Sequence, residues 1–388
     1  MHKIPKKFVN TSFGVYAAIR YLSMAASFAI TILMIREFSA SEFVIFQTVL
    51  SCFVILYWII DLGTIDLIVL SKLDNILVSK YSSGRTFRYL FVTLLATLVL
   101  YFTFSPLISI VMIAVSLDYF NDSMITYRTT RTSLWYLSLT LFIRKFVPLI
   151  YLILSNLYSL ENVFLEFIVI TIVSNLPWFL IDSIRLPFSF GNILYWDKKT
   201  RMNTLQQGGN FLQNLDVPLL NFLNLSSIIP PFVLAKRLLQ AGSIFGQFQI
   251  PRIMDSDVKN VKSAHLRKKI GRNFMHTILL AILICFIFEI LIQKFNYLNL
   301  TFSDRILTYG CLLISTLSII TLQQNALLKV FYKFESLCYS TFASTFSYLI
   351  SIVIFLSDDG ARWYFLIALL INFCVELLVQ EHGLRGEV

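Results

Sequence analysis

The feature that most limits the fold of this chain is a series of long apolar stretches. A helix rises about 1.5 Å per residue, so a stretch of about 20 apolar residues crosses the hydrocarbon core of a bilayer. Twelve such stretches follow one another along the chain: 13–35, 44–70, 88–104, 106–127, 136–156, 163–183, 204–225, 229–250, 273–293, 305–328, 338–356 and 362–381. We therefore predict an all-α polytopic membrane protein with about twelve transmembrane helices.

The composition excludes a water-soluble domain. Apolar residues make up 57% of the chain and charged residues only 14%, against about 25% charged residues in soluble proteins. The basic N-terminus leads into the first apolar stretch without a small-residue cleavage site, so we predict a retained span and no signal peptide. The five cysteines lie in apolar runs and the four histidines are scattered, a pattern that predicts neither a metal site nor a cofactor.

The distribution of basic residues predicts the orientation. With the N-terminus inside, the inner segments hold 23 of the 32 lysines and arginines, including Arg85 and Arg88, and the outer loops hold four. This is the positive-inside bias of membrane proteins. It accounts for the net charge of +10 without a nucleic-acid partner. We predict a multi-pass protein of a bacterial inner membrane, with both termini cytoplasmic and lipid around its spans.

A long basic loop, Arg185 to Asn203, lies at the middle of the chain. It predicts two six-helix lobes, residues 1–195 and 196–388, around a central cavity. A weak repeat agrees with this division, because Asn10-Thr11 opens the first half and Asn203-Thr204 the second. Both halves start on the inner side, which is typical of a parallel repeat with its axis along the membrane normal.

Ionisable residues inside the predicted spans are the candidates for function, because each costs about 2.5–3.5 kcal/mol at the centre of a bilayer. The basic ones are Arg20, Arg144, Lys145, Lys236 and Arg237. The helical rise gives the depth of each residue in the membrane. For each of these three basic positions, an acid lies at a similar depth in a neighbouring span. These acids are Asp61 for Arg20, Asp118 for Arg144-Lys145, and Asp216 for Lys236-Arg237. Asp182 lies near a span end, where we expect it to be solvated.

Two interpretations of these charges stay open. They are either ion pairs that only join helices, or the source of a positively charged cavity. Adjacent residues on a helix point about 100° apart, so one member of each basic doublet can pair while the other faces elsewhere. The resulting surplus of positive charge would suit an anionic group such as pyrophosphate, which arginine binds bidentately.

Several short motifs carry a family resemblance. They are Arg36-Glu37-Phe38-Ser39-Ala40-Ser41-Glu42-Phe43 in a short turn, Asp61-Leu62-Gly63, Asn214-Leu215-Asp216, Ala235-Lys236-Arg237-Leu238, and Pro251 at the end of the eighth span. This pattern resembles the O-antigen and polysaccharide flippases (Wzx type) of the MOP superfamily. The resemblance implies twelve helices in two lobes, which rock to move an undecaprenyl-pyrophosphate-linked oligosaccharide from the cytoplasmic to the outer leaflet.

The same resemblance implies the roles of the charged residues. Arg20 and Lys236-Arg237 would bind substrate, and Asp61 and Asp216 are candidates for coupling to a proton or sodium gradient. It also implies that the protein is a transporter with no catalytic residue. Its expected partners are the lipid-linked oligosaccharide and the polymerase and chain-length proteins of the same pathway.

Three alternative functions fit the sequence less well. A polysaccharide polymerase of the same pathway typically has a large outer loop with catalytic arginines, whereas the outer loops here are short. A multidrug exporter of the same superfamily would bind cations through cavity acids, whereas five basic residues lie in these spans. Major-facilitator transporters resemble one another in the motif G-x-x-x-D-R-x-G-R-R between their second and third spans. The corresponding segment here, Ser71 to Arg88, lacks that motif.

Overall fold

The structure is a computed structural model. It describes residues 6–61, 64, 75–124, 134–185, 204, 215–222, 229–230, 232–234, 236–237, 282, 286, 309–310, 314, 321, 328, 334–355 and 361–384. The side chains of the first helix before Leu22 and of the third before Tyr81 lie outside this description. Every regular element within these ranges is an α-helix, which confirms the all-α prediction. The count of twelve helices stays a prediction.

The helices are numbered in chain order. They are α1 (Lys6–Glu37), α2 (Ala40–Asp61), α3 (Asn75–Thr103), α4 (Pro106–Ser123), α5 (Leu134–Tyr158), α6 (Val163–Arg185), α7 (Asp216–Phe222), α8 (Phe334–Phe355) and α9 (Ala361–Leu384). Helices α1 to α6 overlap the six spans predicted between residues 13 and 183. Helices α8 and α9 overlap the spans predicted at 338–356 and 362–381. Most of the spans predicted at 204–225, 229–250, 273–293 and 305–328 lies outside the described residues.

Four helices in the described ranges are long and apolar enough to cross a membrane. They are Ala40–Asp61, Tyr81–Thr103, Trp135–Tyr158 and Val163–Ser183. The chain is therefore a multi-pass membrane protein. On α3 the apolar residues face outward, as with Leu94 and Phe102, which are 60% and 79% exposed. We expect this helix to present that face to lipid.

The break between the third and fourth spans lies at the predicted position. α3 ends at Thr103 and α4 begins at Pro106. The Ser105 side chain caps α4, because its Oγ accepts from the Ile108 N–H at 3.3 Å. Proline fits the first turn that follows, where its missing N–H would have no helical partner.

The turn between α1 and α2 is a capping box. The Ser39 backbone N–H donates to the Glu42 carboxylate at 2.8 Å, and the Glu42 N–H donates to Ser39 Oγ at 3.3 Å. Phe38, just before this turn, packs edge-on against Phe164 of α6. The turn and the start of α6 therefore lie at the same end of the bundle.

The chain divides into two compact units. Unit 1 contains Met1–Thr204 and Val217–Ser227, and unit 2 contains Leu205–Asp216 and Ile228–Val388. In unit 1, α1 packs on α5, α5 and α4 pack on α6, and α2 packs on α3 and α4. In unit 2, α8 packs on α9. The predicted border between residues 195 and 196 lies outside the described residues.

Candidate functional site

Helices α4 and α5 of unit 1 hold four charged side chains in contact, named here the α4–α5 cluster: Asp118, Asp122, Arg144 and Lys145. Arg144 Nη2 lies 2.7 Å from Asp118 Oδ1 and 2.8 Å from Asp122 Oδ1. Lys145 Nζ lies 2.9 Å from Asp118 Oδ2 and 3.4 Å from Asp122 Oδ2. Because two cations meet two carboxylates, the cluster is neutral.

A third helix supports this cluster from within the bundle. Asn175 of α6 is fully buried, and its Oδ1 accepts from Arg144 Nε at 2.6 Å. Its backbone oxygen accepts from Asn121 Nδ2 of α4 at 3.0 Å. These bonds fix the guanidinium plane, so that Nη2 points at both carboxylates.

The four side chains differ in exposure. The Arg144 side chain is 0% exposed and that of Lys145 is 13%, whereas Asp118 is 31% and Asp122 41% exposed. The two aspartates are therefore the more exposed members of the cluster, and Arg144 is its most buried member.

This geometry corrects one expectation from the sequence. Arg144 and Lys145 were expected to point apart, with one of them left over for a ligand. Both instead contact Asp118, as the matching depths predicted, and both also contact Asp122. The sequence analysis missed Asp122, although its spacing of four residues from Asp118 places the two carboxylates on one face of a helix.

Asp61 has a partner that the sequence analysis did not propose. Its Oδ1 lies 3.0 Å from Nε of Arg85 on α3, and the two side chains are each 1% exposed. Arg85 was counted as a loop residue, but the helix that carries it begins by Asn75 and not at residue 88. The side chain of Arg20 lies outside the described residues, so its pairing with Asp61 stays a prediction.

Arg85 is bound on all sides. Its Nη2 donates to Ser123 Oγ at 2.5 Å and to the Tyr57 hydroxyl, and its Nη1 lies 3.0 Å from the Met124 sulfur. Its guanidinium carbon lies 4.5 Å from the centre of the Phe120 ring. This buried cation therefore joins α2, α3 and α4.

Unit 2 contains the third predicted ion pair. Lys236 Nζ lies 2.9 and 2.8 Å from the two carboxylate oxygens of Asp216. The Tyr348 hydroxyl of α8 donates to Asp216 Oδ2 at 3.2 Å. Lys236 is 25% exposed and Asp216 only 2%, so Lys236 is the more exposed member of this pair. Arg237, next along the chain, is half-buried.

Asp182 is also placed differently from the expectation. It lies near the end of α6, where solvation was predicted, but it is only 3% exposed. The Tyr136 hydroxyl of α5 donates to its Oδ1 at 3.4 Å. This carboxylate therefore lies between helices and is not solvated at the surface.

Comparison with known proteins places the fold. The chain is similar to the structure of the MATE multidrug transporter DinF-BH, at 13% identity and a TM-score of 0.68, with 98% of this chain and 96% of that chain covered. It is also similar to the lipid II flippase MurJ in an inward closed conformation, at 12% identity and a TM-score of 0.64, with 96% and 87% covered.

A third similar structure is an outward-facing multidrug resistance MATE family transporter of the MOP superfamily, at 11% identity and a TM-score of 0.63, with 97% and 96% covered. No protein-family model and no curated protein matches the chain. At these identities the likeness shows the fold alone. The chain therefore has the fold shared by MATE transporters and MurJ.

Proposed function

We propose that this chain is a flippase that moves an undecaprenyl-pyrophosphate-linked oligosaccharide, such as an O-antigen or capsule repeat unit, from the cytoplasmic to the outer leaflet of a bacterial inner membrane. Its fold supports a transporter, and one of the similar structures is the lipid II flippase MurJ. The proposal excludes an enzymatic role and keeps both termini in the cytoplasm.

The observation that carries the proposal is the Lys236–Asp216 pair of unit 2. Asp216 is buried, and Lys236 is the more exposed side chain of the pair. Arg237, the next residue, is a second half-buried basic group, and a phosphate has several oxygens that basic side chains bind through charge-assisted hydrogen bonds. Lys236 and Arg237 therefore bind the pyrophosphate in this proposal, with Arg20 as a third candidate.

The roles of the remaining charges follow from their surroundings. Asp61 and Asp216 are the candidates for coupling to a proton or sodium gradient, because buried carboxylates inside a membrane are typical of ion pathways. Lys145 is partly exposed and is the member of its doublet that could contact substrate directly. Arg144 is buried, and it would influence substrate through the two carboxylates that it holds, Asp118 and Asp122. The polymerase and chain-length proteins of the pathway are the proposed partners.

A specific observation favours a second candidate function, export of cationic drugs. Asp118 and Asp122 are the most exposed members of their cluster, and exposed acids in a cavity attract cations. Two of the similar structures are MATE multidrug transporters. Since the cluster is neutral as a whole, its attraction for a cation is weak, and we place this function second.

The proposal is tested in a bacterial strain from which the gene is deleted and to which variants are returned. Lys236→Ala and Arg237→Ala are expected to abolish surface glycan while the amount of protein in the membrane stays normal. Arg36→Ala is the matched control, because Arg36 is 44% exposed and its described ion pair is with its sequence neighbour Glu37.

Normal surface glycan in both Lys236→Ala and Arg237→Ala would contradict the assignment of the pyrophosphate site. Normal glycan in the deletion strain itself, combined with increased sensitivity to cationic dyes, would favour the drug exporter instead.

A further inference from the structure

We infer that the α4–α5 cluster is a binding subsite for the sugar hydroxyls of the transported lipid, and not for its pyrophosphate. The inference rests on the proposed function and deepens it, because it assigns a different part of the substrate to unit 1.

The position of the cluster requires a polar neighbour. Arg144 lies nine residues after Trp135, the start of a candidate span, which corresponds to a depth of ~14 Å. Lipid cannot solvate a carboxylate at that depth. The partly exposed side chains of Asp118 and Asp122 are therefore solvated by water or by a polar ligand.

The open groups of the cluster are acceptors. A carboxylate has about four lone-pair sites, and the bonds described for Asp122 are one from Arg144 at 2.8 Å and one from Lys145 at 3.4 Å. Sites on Asp122 thus remain for a donor. An ionised pyrophosphate has no proton to donate to these acceptors, and it gains little net Coulomb attraction from a neutral cluster.

The net charge of the cluster decides whether a cation or a neutral hydroxyl fits it better. Arg144 and Lys145 balance Asp118 and Asp122, so a cation gains little net Coulomb attraction there. A neutral hydroxyl avoids the cost of stripping water from a full charge, and it forms strong bonds to ionised acceptors. Neutral hydroxyls, and hence a sugar, fit this surface better than a cation.

A second observation points to the same class of ligand. The Arg144 side chain is 0% exposed, and its Nη1 has no hydrogen-bond partner among the residues that the structure describes. Planar guanidinium geometry places Nη1 beside Nη2, the nitrogen that contacts both carboxylates. A hydroxyl oxygen can donate to a carboxylate and accept from an N–H at the same time, whereas a metal ion or a quaternary cation can do neither.

The test measures binding of three probes to the full chain in nanodiscs: undecaprenyl pyrophosphate, the same lipid linked to N-acetylglucosamine, and tetraphenylphosphonium. The wild type is expected to bind the sugar-bearing lipid more tightly than the sugar-free lipid. Asp122→Asn is expected to reduce that preference about tenfold, the value of one hydrogen bond to a charged acceptor. It leaves the affinity for the sugar-free lipid equal or higher, because a negative charge is removed.

Two further variants keep this result interpretable. Asp118→Asn is expected to act as Asp122→Asn does, and Asp182→Asn is the control, because Asp182 is a buried carboxylate of unit 1 outside the cluster. A variant that merely misfolds binds both lipids more weakly and loses its unfolding transition. The ratio of the two affinities therefore distinguishes a loss of sugar binding from a loss of stability.

Three outcomes overturn the inference. In the first, the folded Asp122→Asn and Asp118→Asn variants keep the full preference for the sugar-bearing lipid, or lose affinity for both lipids equally. The cluster then does not bind sugar, and the flippase proposal stands. If the wild type shows no preference for sugar, the subsite is absent. If it binds neither lipid, or binds tetraphenylphosphonium through Asp122, the flippase proposal falls as well.

Discussion

Arg85 Nε donates to Asp61 Oδ1 across 3.0 Å, and both side chains are 1% exposed. Removing one member of a buried pair leaves the other charge without compensation, which typically costs about 3–5 kcal/mol. We expect Arg85→Ala to lower the free energy of unfolding by about that amount, measured by denaturant unfolding in mixed micelles.

Arg36→Ala is the matched control for that measurement. Arg36 contacts Glu37 at 3.6 Å but is 44% exposed, so we expect a change of less than about 1 kcal/mol. Equal losses in the two variants would show that the Arg85–Asp61 pair does not stabilise the bundle.

The two basic residues of the α4–α5 cluster should differ in their contribution to stability. Arg144 is fully buried, so Arg144→Gln is expected to cost about 3–5 kcal/mol. Lys145 is 13% exposed, and Arg144 still binds both carboxylates without it, so Lys145→Gln is expected to cost about 1–2 kcal/mol. The same unfolding measurement would contradict the geometry if Lys145→Gln proved the more damaging change.

Neutralising one acid should partly rescue the loss of Arg144. Arg144→Gln leaves two carboxylates with one cation, and Asp122→Asn added to it restores the balance. We expect the double variant to be more stable than Arg144→Gln alone, with a coupling free energy of about 1–3 kcal/mol. Simple additivity of the two single changes would mean that Arg144 and Asp122 do not interact.

The outward face of α3 should tolerate apolar side chains only. Leu94 lies near the middle of the span Tyr81–Thr103 and is 60% exposed. We expect Leu94→Lys to raise the apparent free energy of membrane insertion by about 3 kcal/mol. Phe104→Lys, at the end of the same helix, should change it little, and an equal effect would place Leu94 away from lipid.

Local signals in the sequence predicted the break between α3 and α4. Ser105 and Pro106 end one helix and start the next because a capping serine and a first-turn proline act within a few residues. Likewise, Ser39 and Glu42 form their capping box without help from distant parts of the chain.

The partners of the buried charges were harder to predict, because depth along a helix gives only one coordinate. It matched Asp118 with Arg144 correctly, since α4 and α5 both pack on α6. It missed Arg85 for Asp61, because the packing of α2 on α3 depends on the whole bundle. In the sequence, Arg85 lies in a basic segment before the third predicted span, which is typical of a loop. It lies inside the bundle because Asp61, Tyr57 and Ser123 bind its guanidinium group there.

The most direct test of the central claim is transport by the pure protein. Proteoliposomes carry undecaprenyl-pyrophosphate-linked N-acetylglucosamine, and an externally added lectin reports how much of the sugar is exposed outside over time. After external sugar is removed enzymatically, we predict that it reappears rapidly with the wild-type chain, and that Lys236→Ala slows this to the rate of protein-free liposomes. Reappearance at the protein-free rate with the wild-type chain, together with uptake of tetraphenylphosphonium, would contradict the account.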